Sequence, residues 1–143
     1  MAGRVLAVDV GARRVGLAIS DPSATLARPL ETLAVASDLD AVDRVADRIA
    51  ALAREDDGLA AIVVGLPARL DGRASDESAR VRAFIAALAH RTALPIAVED
   101  ERLTSREAES RLAQRERDWR KRKAKLDAAA AAIILQDYLD RAK

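Results

Sequence analysis

The chain has 143 residues, half of them hydrophobic, and a formal net charge of +1, which fits one domain over residues 1–143 that can bury a core. It contains no cysteine and a single histidine, so disulfides and thiolate metal sites are excluded and carboxylates are the only plentiful metal ligands. Any bound metal is therefore expected to be a hard cation, Mg²⁺ or Mn²⁺.

The first third of the chain predicts an antiparallel meander. Residues 4–10 and 14–20 are short apolar runs rich in β-branched side chains, and the turn between them contains Gly11, which we expect to supply the unusual backbone angles of a hairpin. A third run, about residues 24–33, contains Pro29, and proline confines a strand to an edge or a bulge. The sheet is therefore expected to end at this third strand.

The middle of the chain alternates helical and strand patterns. Ser37 or Asp38 is expected to cap a helix, because apolar residues then recur every three or four positions. Residues 60–66 are apolar on every side, which is typical of a parallel strand covered on both faces. A second amphipathic helix around residues 81–88 and a short buried strand, residues 95–98, follow.

The last third of the chain predicts two helices. Thr104 and Glu107 have capping-box spacing for a third helix, which becomes very basic towards Arg122. A last, alanine-rich helix is expected from about Leu126 to Leu139. The element order β-β-β-α-β-α-β-α-α predicts an α/β fold with a mixed five-stranded sheet and helices on its faces.

Three carboxylates are expected at one edge of this sheet. Asp9 ends the first strand, Glu101 follows the last strand, and Asp127 opens the final helix. Such a cluster can hold metal ions that activate water for phosphodiester hydrolysis, because hard cations prefer anionic oxygen ligands. Each acid also has a structural interpretation, as a hairpin cap, a surface partner of Arg102 and a helix N-cap, respectively.

Four sequence motifs occur in order between Val5 and Leu139. They are Asp9-Val-Gly11-Ala-Arg-Arg14-Val-Gly16-Leu-Ala18-Ile-Ser20-Asp21, Gly65-Leu66-Pro67 with Asp71-Gly72, Asp100-Glu101-Arg102-Leu103-Thr104-Ser105, and Asp127-x-x-Ala130-Ala131-x-x-Ile134-Leu135-Gln136-x-Tyr138-Leu139. Together they resemble the motifs of the YqgF family, also called RuvX-like. A lone Asp-x-Gly is weak evidence, because sugar kinases and actin-like ATPases share it, whereas four ordered motifs are specific.

The resemblance implies a ribonuclease-H-like three-layer fold and a nuclease that matures the 5′ end of the pre-16S rRNA during ribosome biogenesis. Relatives have also been proposed to resolve Holliday junctions, so a structure-selective DNA endonuclease is the alternative. Carried over residue by residue, the resemblance makes Asp9, Glu101 and Asp127 the catalytic and metal-binding acids, with Mg²⁺ or Mn²⁺ as cofactor. The implied partner is a nucleic acid, either an rRNA precursor or single-stranded or branched DNA.

The third motif leaves the middle metal ligand open. The family often has an aromatic residue before its Asp-Glu-Arg triplet, and in this sequence Glu99 stands at that position. Three acids therefore follow one another, and Asp100 is an alternative to Glu101 as the middle metal ligand.

A basic stretch around Trp119 leads directly into Asp127. Its cationic side chains are Arg115, Arg117, Arg120, Lys121, Arg122, Lys123 and Lys125. Cations beside a metal site would hold a phosphate backbone irrespective of base sequence, and Trp119 could stack on a splayed base. The structural alternative is a solvated helix with Trp119 packed on the core. Because the stretch adjoins Asp127, we favour nucleic-acid binding.

Further polar residues and glycines near these motifs have two interpretations each. Arg14 and Arg102 lie close to proposed metal ligands, so each can steady a scissile phosphate or form a structural ion pair. His90, near the end of the second helix, is expected to interact with the helix dipole rather than act as a base. We assign Gly11, Gly16 and Gly65 to the backbone, in turns and close strand packing, and give them no catalytic role.

Other protein classes are alternatives to a nuclease. An actin-like or sugar-kinase ATPase closes two copies of this fold around ATP, and the chain can hold only one. A non-catalytic RNA-binding factor would keep the fold without cleavage, and the presence of all three acids argues against it. The sequence after Met1 shows no basic-then-apolar leader and no long uncharged stretch, so we expect a cytosolic protein without membrane contact, as a monomer or homodimer.

Overall fold

The computed structural model describes residues 3–67, 76–100 and 119–142, with the side chains of all of these except Asp76 and residues 119–127. This part of the chain contains five strands and three helices. In chain order they are β1 (Val5–Val10), β2 (Arg14–Ser20), β3 (Ala27–Ala34), α1 (Asp38–Ala53), β4 (Ala61–Leu66), α2 (Asp76–Ala89), β5 (Ile96–Asp100) and α3 (Trp119–Arg141). Among these helices we find none with the length and apolar character needed to cross a bilayer.

The strands form one mixed sheet in the order β3-β2-β1-β4-β5. β1 pairs antiparallel with β2, and β2 pairs antiparallel with β3, whereas β4 runs parallel to both β1 and β5. The carboxyl ends of β1, β4 and β5 therefore meet at the same edge. Pro29 lies on the edge strand β3, beside a register shift between Leu17 and Ala18, as its sequence predicts.

Helices cover both faces of the sheet and make three layers. On one face, α1 and α2 enclose a large core, which includes Leu6, Val8, Leu17, Ile62, Val45, Phe84 and Leu88. On the other face, α3 packs on small side chains, including Ala7, Ala18 and Val63, through Ala131, Ile134 and Leu135. The alternation of side chains along each strand produces this division, because neighbouring residues point to opposite faces.

The β1–β2 turn differs from its predicted conformation at Gly11. Positive φ angles occur in the described residues at Ala24 (56°) and Gly58 (59°), and not at Gly11, so the expected unusual backbone angles are wrong. Gly11 instead donates its N–H to the carbonyl of Arg14 at 2.8 Å, and a Cβ on Gly11 would lie 2.7 Å from that same oxygen. Close approach of two backbones therefore requires glycine here.

The third strand starts later than predicted because a closed loop precedes it. The N–H of Asp21 donates to the carbonyl of Leu26 (3.1 Å), and the Asp21 carboxylate accepts the N–H groups of Thr25 (2.8 Å) and Leu26 (3.0 Å). The hydroxyl of Ser23 donates to the same carboxylate at 2.5 Å, and these donors lower the pKa of Asp21 to about 2. The backbone N–H groups of Asp21, Thr25 and Leu26 thus find their acceptors within the loop rather than in the sheet.

The N-terminus of α1 confirms Ser37 as the helix cap. The Ser37 hydroxyl accepts the N–H of Asp40 at 3.0 Å, while the Asp40 carboxylate accepts the N–H of Ala36 at 2.8 Å. The Ser37 hydroxyl thus satisfies a donor that the first turn leaves without a helical partner, and the Asp40 carboxylate satisfies the N–H of the residue before the cap. The hydrogen bond from Ala36 is also the main reason why the pKa of Asp40 is lowered.

The last helix is longer than predicted. α3 runs without a break from Trp119 to Arg141, so Asp127 lies in its interior, and the predictions that Asp127 opens a helix or acts as its N-cap are wrong. The physical reason is local: residues 119–141 contain no glycine or proline, and Lys, Arg and Ala all favour helix. The beginning of the predicted third helix, from Thr104, lies outside the described residues.

Candidate nuclease site

Asp9 lies within a row of residues that crosses the sheet. It is the second-last residue of β1 and pairs with Gly16 of β2. On its other side, Val8 pairs in parallel register with Val64, so the next position brings Asp9 beside Gly65 of β4. Gly65 in turn pairs with Glu99 of β5. The row therefore reads Gly16, Asp9, Gly65, Glu99.

Strand alternation places this row on the face that α3 covers. Ala7, Val63 and Ala97 belong to the cluster that packs against α3. Asp9 and Glu99 stand two residues beyond Ala7 and Ala97, respectively, and therefore share their face. Both direct neighbours of Asp9 in the row are glycines, so no side chain from an adjacent strand stands next to its carboxylate on this face. Asp9 itself is half-buried.

Glu99 is a buried carboxylate at the end of this row. Glu99 is 4% exposed, and its carboxylate forms an ion pair with the guanidinium of Arg141 in the last turn of α3. The backbones of β1 and β5 are separated by two strand spacings, about 10 Å, with Gly65 between them. The sequence shows Glu99 only as a departure from the family motif; the alternation from Ala97 is the signal that assigns its face.

An open cleft of about 470 Å³ lies next to Glu99, between β5 and the C-terminal end of α3. Four acids and one arginine line it: Glu99, Asp100, Asp137, Asp140 and Arg141. Asp100 is the exposed last residue of β5 and is one position out of phase with Glu99 along the strand. The two neighbouring acids of β5 thus have different environments, one buried and one exposed.

The backbone of Asp127 lies on the stripe of α3 that faces the sheet. Asp127 precedes Ala131 by four residues and Ile134 by seven, and both of these are fully buried. Residues separated by four and seven positions share one face of an α-helix. The helix axis is fixed on the β3 side by Gln136, whose Oε1 accepts the N–H of Ala27 (2.9 Å) and whose Nε2 donates to the carbonyl of Thr25 (3.0 Å).

Among the other predicted site residues, Arg14 is the one whose side chain the structure describes. It begins β2, is half-buried, and stands two residues from Gly16, in phase with the row that contains Asp9. Outside the described residues lie Glu101, Arg102, Arg115 and Arg117, and outside the described side chains lie those of Trp119, Arg120, Lys121, Arg122, Lys123, Lys125 and Asp127. Within the described ranges, no group of three acidic or histidine side chains is arranged to hold a metal ion.

Asp21 belongs to the first motif but not to this site. β2 carries the chain from Gly16, beside Asp9, to Ser20 at the other end of the sheet, and Asp21 follows there. Its carboxylate is engaged by the loop that it closes. One acid of the motif therefore organises a turn, while the other lies at the candidate site.

Comparisons with known proteins agree on one family. Residues 3–141 match the family model described as "RuvX: Holliday junction resolvase". Proteins named "Putative pre-16S rRNA nuclease" from Roseiflexus sp. (strain RS-1) and Nocardioides sp. (strain ATCC BAA-499 / JS614) are 39% and 42% identical to the chain. The first alignment covers 96% of this chain and 94% of its relative, and the second covers 97% and 88%.

Solved structures with the same fold include two of RuvC from Thermus thermophilus. RuvC in complex with a Holliday junction substrate has a TM-score of 0.56 at 16% sequence identity, covering 98% of this chain and 95% of that one. The second RuvC structure has a TM-score of 0.53 at 18% identity, covering 97% and 95%. The three-layer, ribonuclease-H-like fold expected from the motifs is confirmed, and the chain belongs to the RuvX family.

Proposed function

We propose that this protein is a metal-dependent nuclease that hydrolyses phosphodiester bonds of RNA and processes the 5′ end of pre-16S rRNA in the cytoplasm. The observation that carries the proposal is the position of Asp9. Its carboxylate lies at the edge where β1, β4 and β5 end, on the face covered by α3, with glycine on both sides. The names of the relatives supply the RNA substrate.

The proposed metal ligands are Asp9, Glu101 and Asp127. Glycines at both positions paired with Asp9 favour a hydrated Mg²⁺ or Mn²⁺ there, because a side chain at a paired position stands next to its cross-strand neighbour. Two such ions would lower the pKa of a bound water and stabilise the leaving oxygen, which removes the need for a protein general base. The contribution of the described chain is to place Asp9 at the edge where β1, β4 and β5 end.

Register favours Glu101 over Asp100 as the middle ligand. Glu99 shares the face of Asp9, and Asp100 is one residue out of phase with it. Asp100 lines the open acidic cleft and does not share the face of Asp9, and this position favours Glu101 as the metal ligand.

The proposed nucleic-acid contacts come from Arg14 and from the basic beginning of α3. Arg14 is in phase with Asp9 and can donate to a phosphate bound there. The basic stretch, whose residues 119–125 open α3, precedes Asp127 in the same continuous helix. Contacts of this kind bind the backbone irrespective of base sequence and weaken steeply with added salt.

A structure-selective DNA endonuclease is the second candidate function. It is favoured by the family description and by the RuvC fold. Symmetric cutting of a four-way junction would require two active sites in a homodimer, whereas RNA processing requires only one. The names of the relatives favour RNA.

The deciding experiment compares three labelled substrates: a pre-16S rRNA 5′ fragment, unrelated single-stranded RNA and a four-way DNA junction. Each is incubated with wild type, Asp9→Asn and the control Asp43→Asn, whose exposed carboxylate on α1 pairs with Arg91 away from the site. We expect Mn²⁺- or Mg²⁺-dependent cleavage of the rRNA fragment by wild type and the control, and loss of cleavage without loss of binding in Asp9→Asn. Junction cleavage alone would establish the second candidate, and binding without any cleavage would refute both.

A further inference from the structure

Glu99 is the one acidic residue that is buried in the described part of the chain. A carboxylate that leaves water is unfavourable unless a cation and hydrogen-bond donors compensate it. The compensating group is Arg141, whose side chain is 67% exposed and reaches the carboxylate from the last turn of α3. One ion pair thus connects the end of β5 to the end of α3.

In the sequence, one connected element is followed by a proposed metal ligand and the other contains one. Glu99 is the second-last residue of β5, and Glu101 follows the strand in the sequence. Arg141 lies fourteen residues after Asp127 in one uninterrupted helix. At about 100° per residue, that separation is about 40° short of four full turns, so both residues lie on the same flank of α3.

The opposite flank of α3 is attached to the other side of the sheet. Gln136 lies five residues before Arg141, about 140° away around the helix, and binds Thr25 and Ala27 at the beginning of β3. Buried Ile134 and Leu139 pack between these two polar attachments. Close apolar packing already resists movement of the helix, and two directional attachments on opposite flanks add a further restriction on its rotation.

We propose that the Glu99–Arg141 ion pair is a positioning device for the metal site at Asp9, because it fixes the end of α3 against the end of β5. This inference rests on the proposed function, because it assumes that Asp9 binds metal. Net stability alone does not explain the choice of an ion pair, because apolar side chains of similar size often stabilise as well, whereas removal of one partner leaves a buried charge and is destabilising. Glu99 and Arg141 are therefore positioning residues and not catalytic ones.

The test measures Mn²⁺ affinity of the full chain by electron paramagnetic resonance, alongside rRNA cleavage and thermal melting. The variants are Glu99→Gln, Arg141→Gln, Arg141→Lys and the double variant Glu99→Gln/Arg141→Gln. Asp43→Asn is the matched control, because it breaks an exposed ion pair of similar type. Asp9→Asn reports whether the measured Mn²⁺ binds at the proposed site.

We expect each glutamine variant to weaken Mn²⁺ binding and lower kcat about tenfold, as loss of support around metal ligands does, with KM for RNA little changed. Arg141→Lys keeps the charge and should retain most of the affinity, and the double variant should be no worse than either single variant. Wild-type affinity in Glu99→Gln, or an equal loss in the lysine and glutamine variants at Arg141, would overturn the inference.

The two proposals fail in different ways. Wild type that binds Mn²⁺ through Asp9 but does not cleave RNA refutes the proposed function, while the variant affinities still decide the positioning role. Wild type that binds no Mn²⁺ refutes the metal site and the positioning role together. A glutamine variant that loses affinity only as far as it loses thermal stability shows a structural role and overturns the inference.

Discussion

Replacing Gln136 with methionine should reduce stability, because this side chain connects α3 to the loop before β3. Its Oε1 accepts the N–H of Ala27 at 2.9 Å, and its Nε2 donates to the carbonyl of Thr25 at 3.0 Å. Methionine has a similar volume but no comparable hydrogen-bonding group. The substitution therefore leaves two partly buried backbone groups without these partners while it keeps most of the packing.

The expected loss follows from those two hydrogen bonds. At about 1 kcal/mol for each bond, the free energy of unfolding should fall by about 2 kcal/mol. A domain of this length loses about 3 °C in melting temperature for each 1 kcal/mol, so Tm should fall by about 6 °C. Thermal unfolding followed by circular dichroism measures this shift.

Gln136→Glu separates the hydrogen bonds from the side-chain volume. Glutamate keeps an acceptor for the N–H of Ala27 but loses the donor to Thr25, and it places a second carboxylate 3.0 Å from Asp140. At neutral pH we expect Gln136→Glu to melt at or below the temperature of Gln136→Met, because like charges repel. An unchanged Tm in both variants would refute the idea that Gln136 fixes α3 on the sheet.

Three further predictions address other parts of the molecule. Gly65→Ala should lower metal-dependent cleavage at least tenfold while the fold persists, because a methyl group beside Asp9 displaces a ligand or water; single-turnover cleavage and circular dichroism measure the two effects. Arg4→Met should lower the free energy of unfolding by about 3 kcal/mol in urea titrations, because the buried guanidinium donates to the carbonyls of Gly58 (2.8 Å) and Leu52 (3.1 Å). Asp21 has a pKa of about 2 in the folded chain, against an ordinary value of 3.8, so its ionised carboxylate stabilises the fold fully above pH 4 and loses this effect as the pH falls towards 2. The difference in Tm between wild type and Asp21→Asn should shrink in that pH window and nowhere else.

Local patterns were sufficient to predict most of the fold. The range of β2 agrees with its apolar run, and Ser37 caps α1 where the helical periodicity begins. Pro29 marks an edge strand because a proline cannot donate to a neighbouring strand, and that rule needs no knowledge of the tertiary structure. The sheet order then follows from a hairpin meander joined to parallel strands by crossover helices.

The errors occurred where a sequence pattern has two physical meanings. The basic stretch towards Arg122 and the alanine-rich stretch from Leu126 predict two helices, but composition can change within one helix when no residue breaks it. For Gly11 the sequence predicts both turn angles and close packing, and the contact with Arg14 makes close approach the requirement. Glu99 could be assigned to a face by alternation alone, but its burial depends on Arg141, which is distant in sequence.

The two faces of the sheet have different roles, and their side chains explain why. Under α1 and α2, large residues such as Leu6 and Phe84 fill the core and supply most of the apolar burial. Under α3, the sheet presents small residues such as Ala7 and Ala18, which fill less space between helix and strands than Leu or Phe would. The proposed metal site needs an acid from a helix within reach of an acid on a strand, and small side chains between the two elements favour that approach. On the proposed function, we therefore interpret the small residues under α3 as a condition for the site at Asp9 rather than as a weak part of the core.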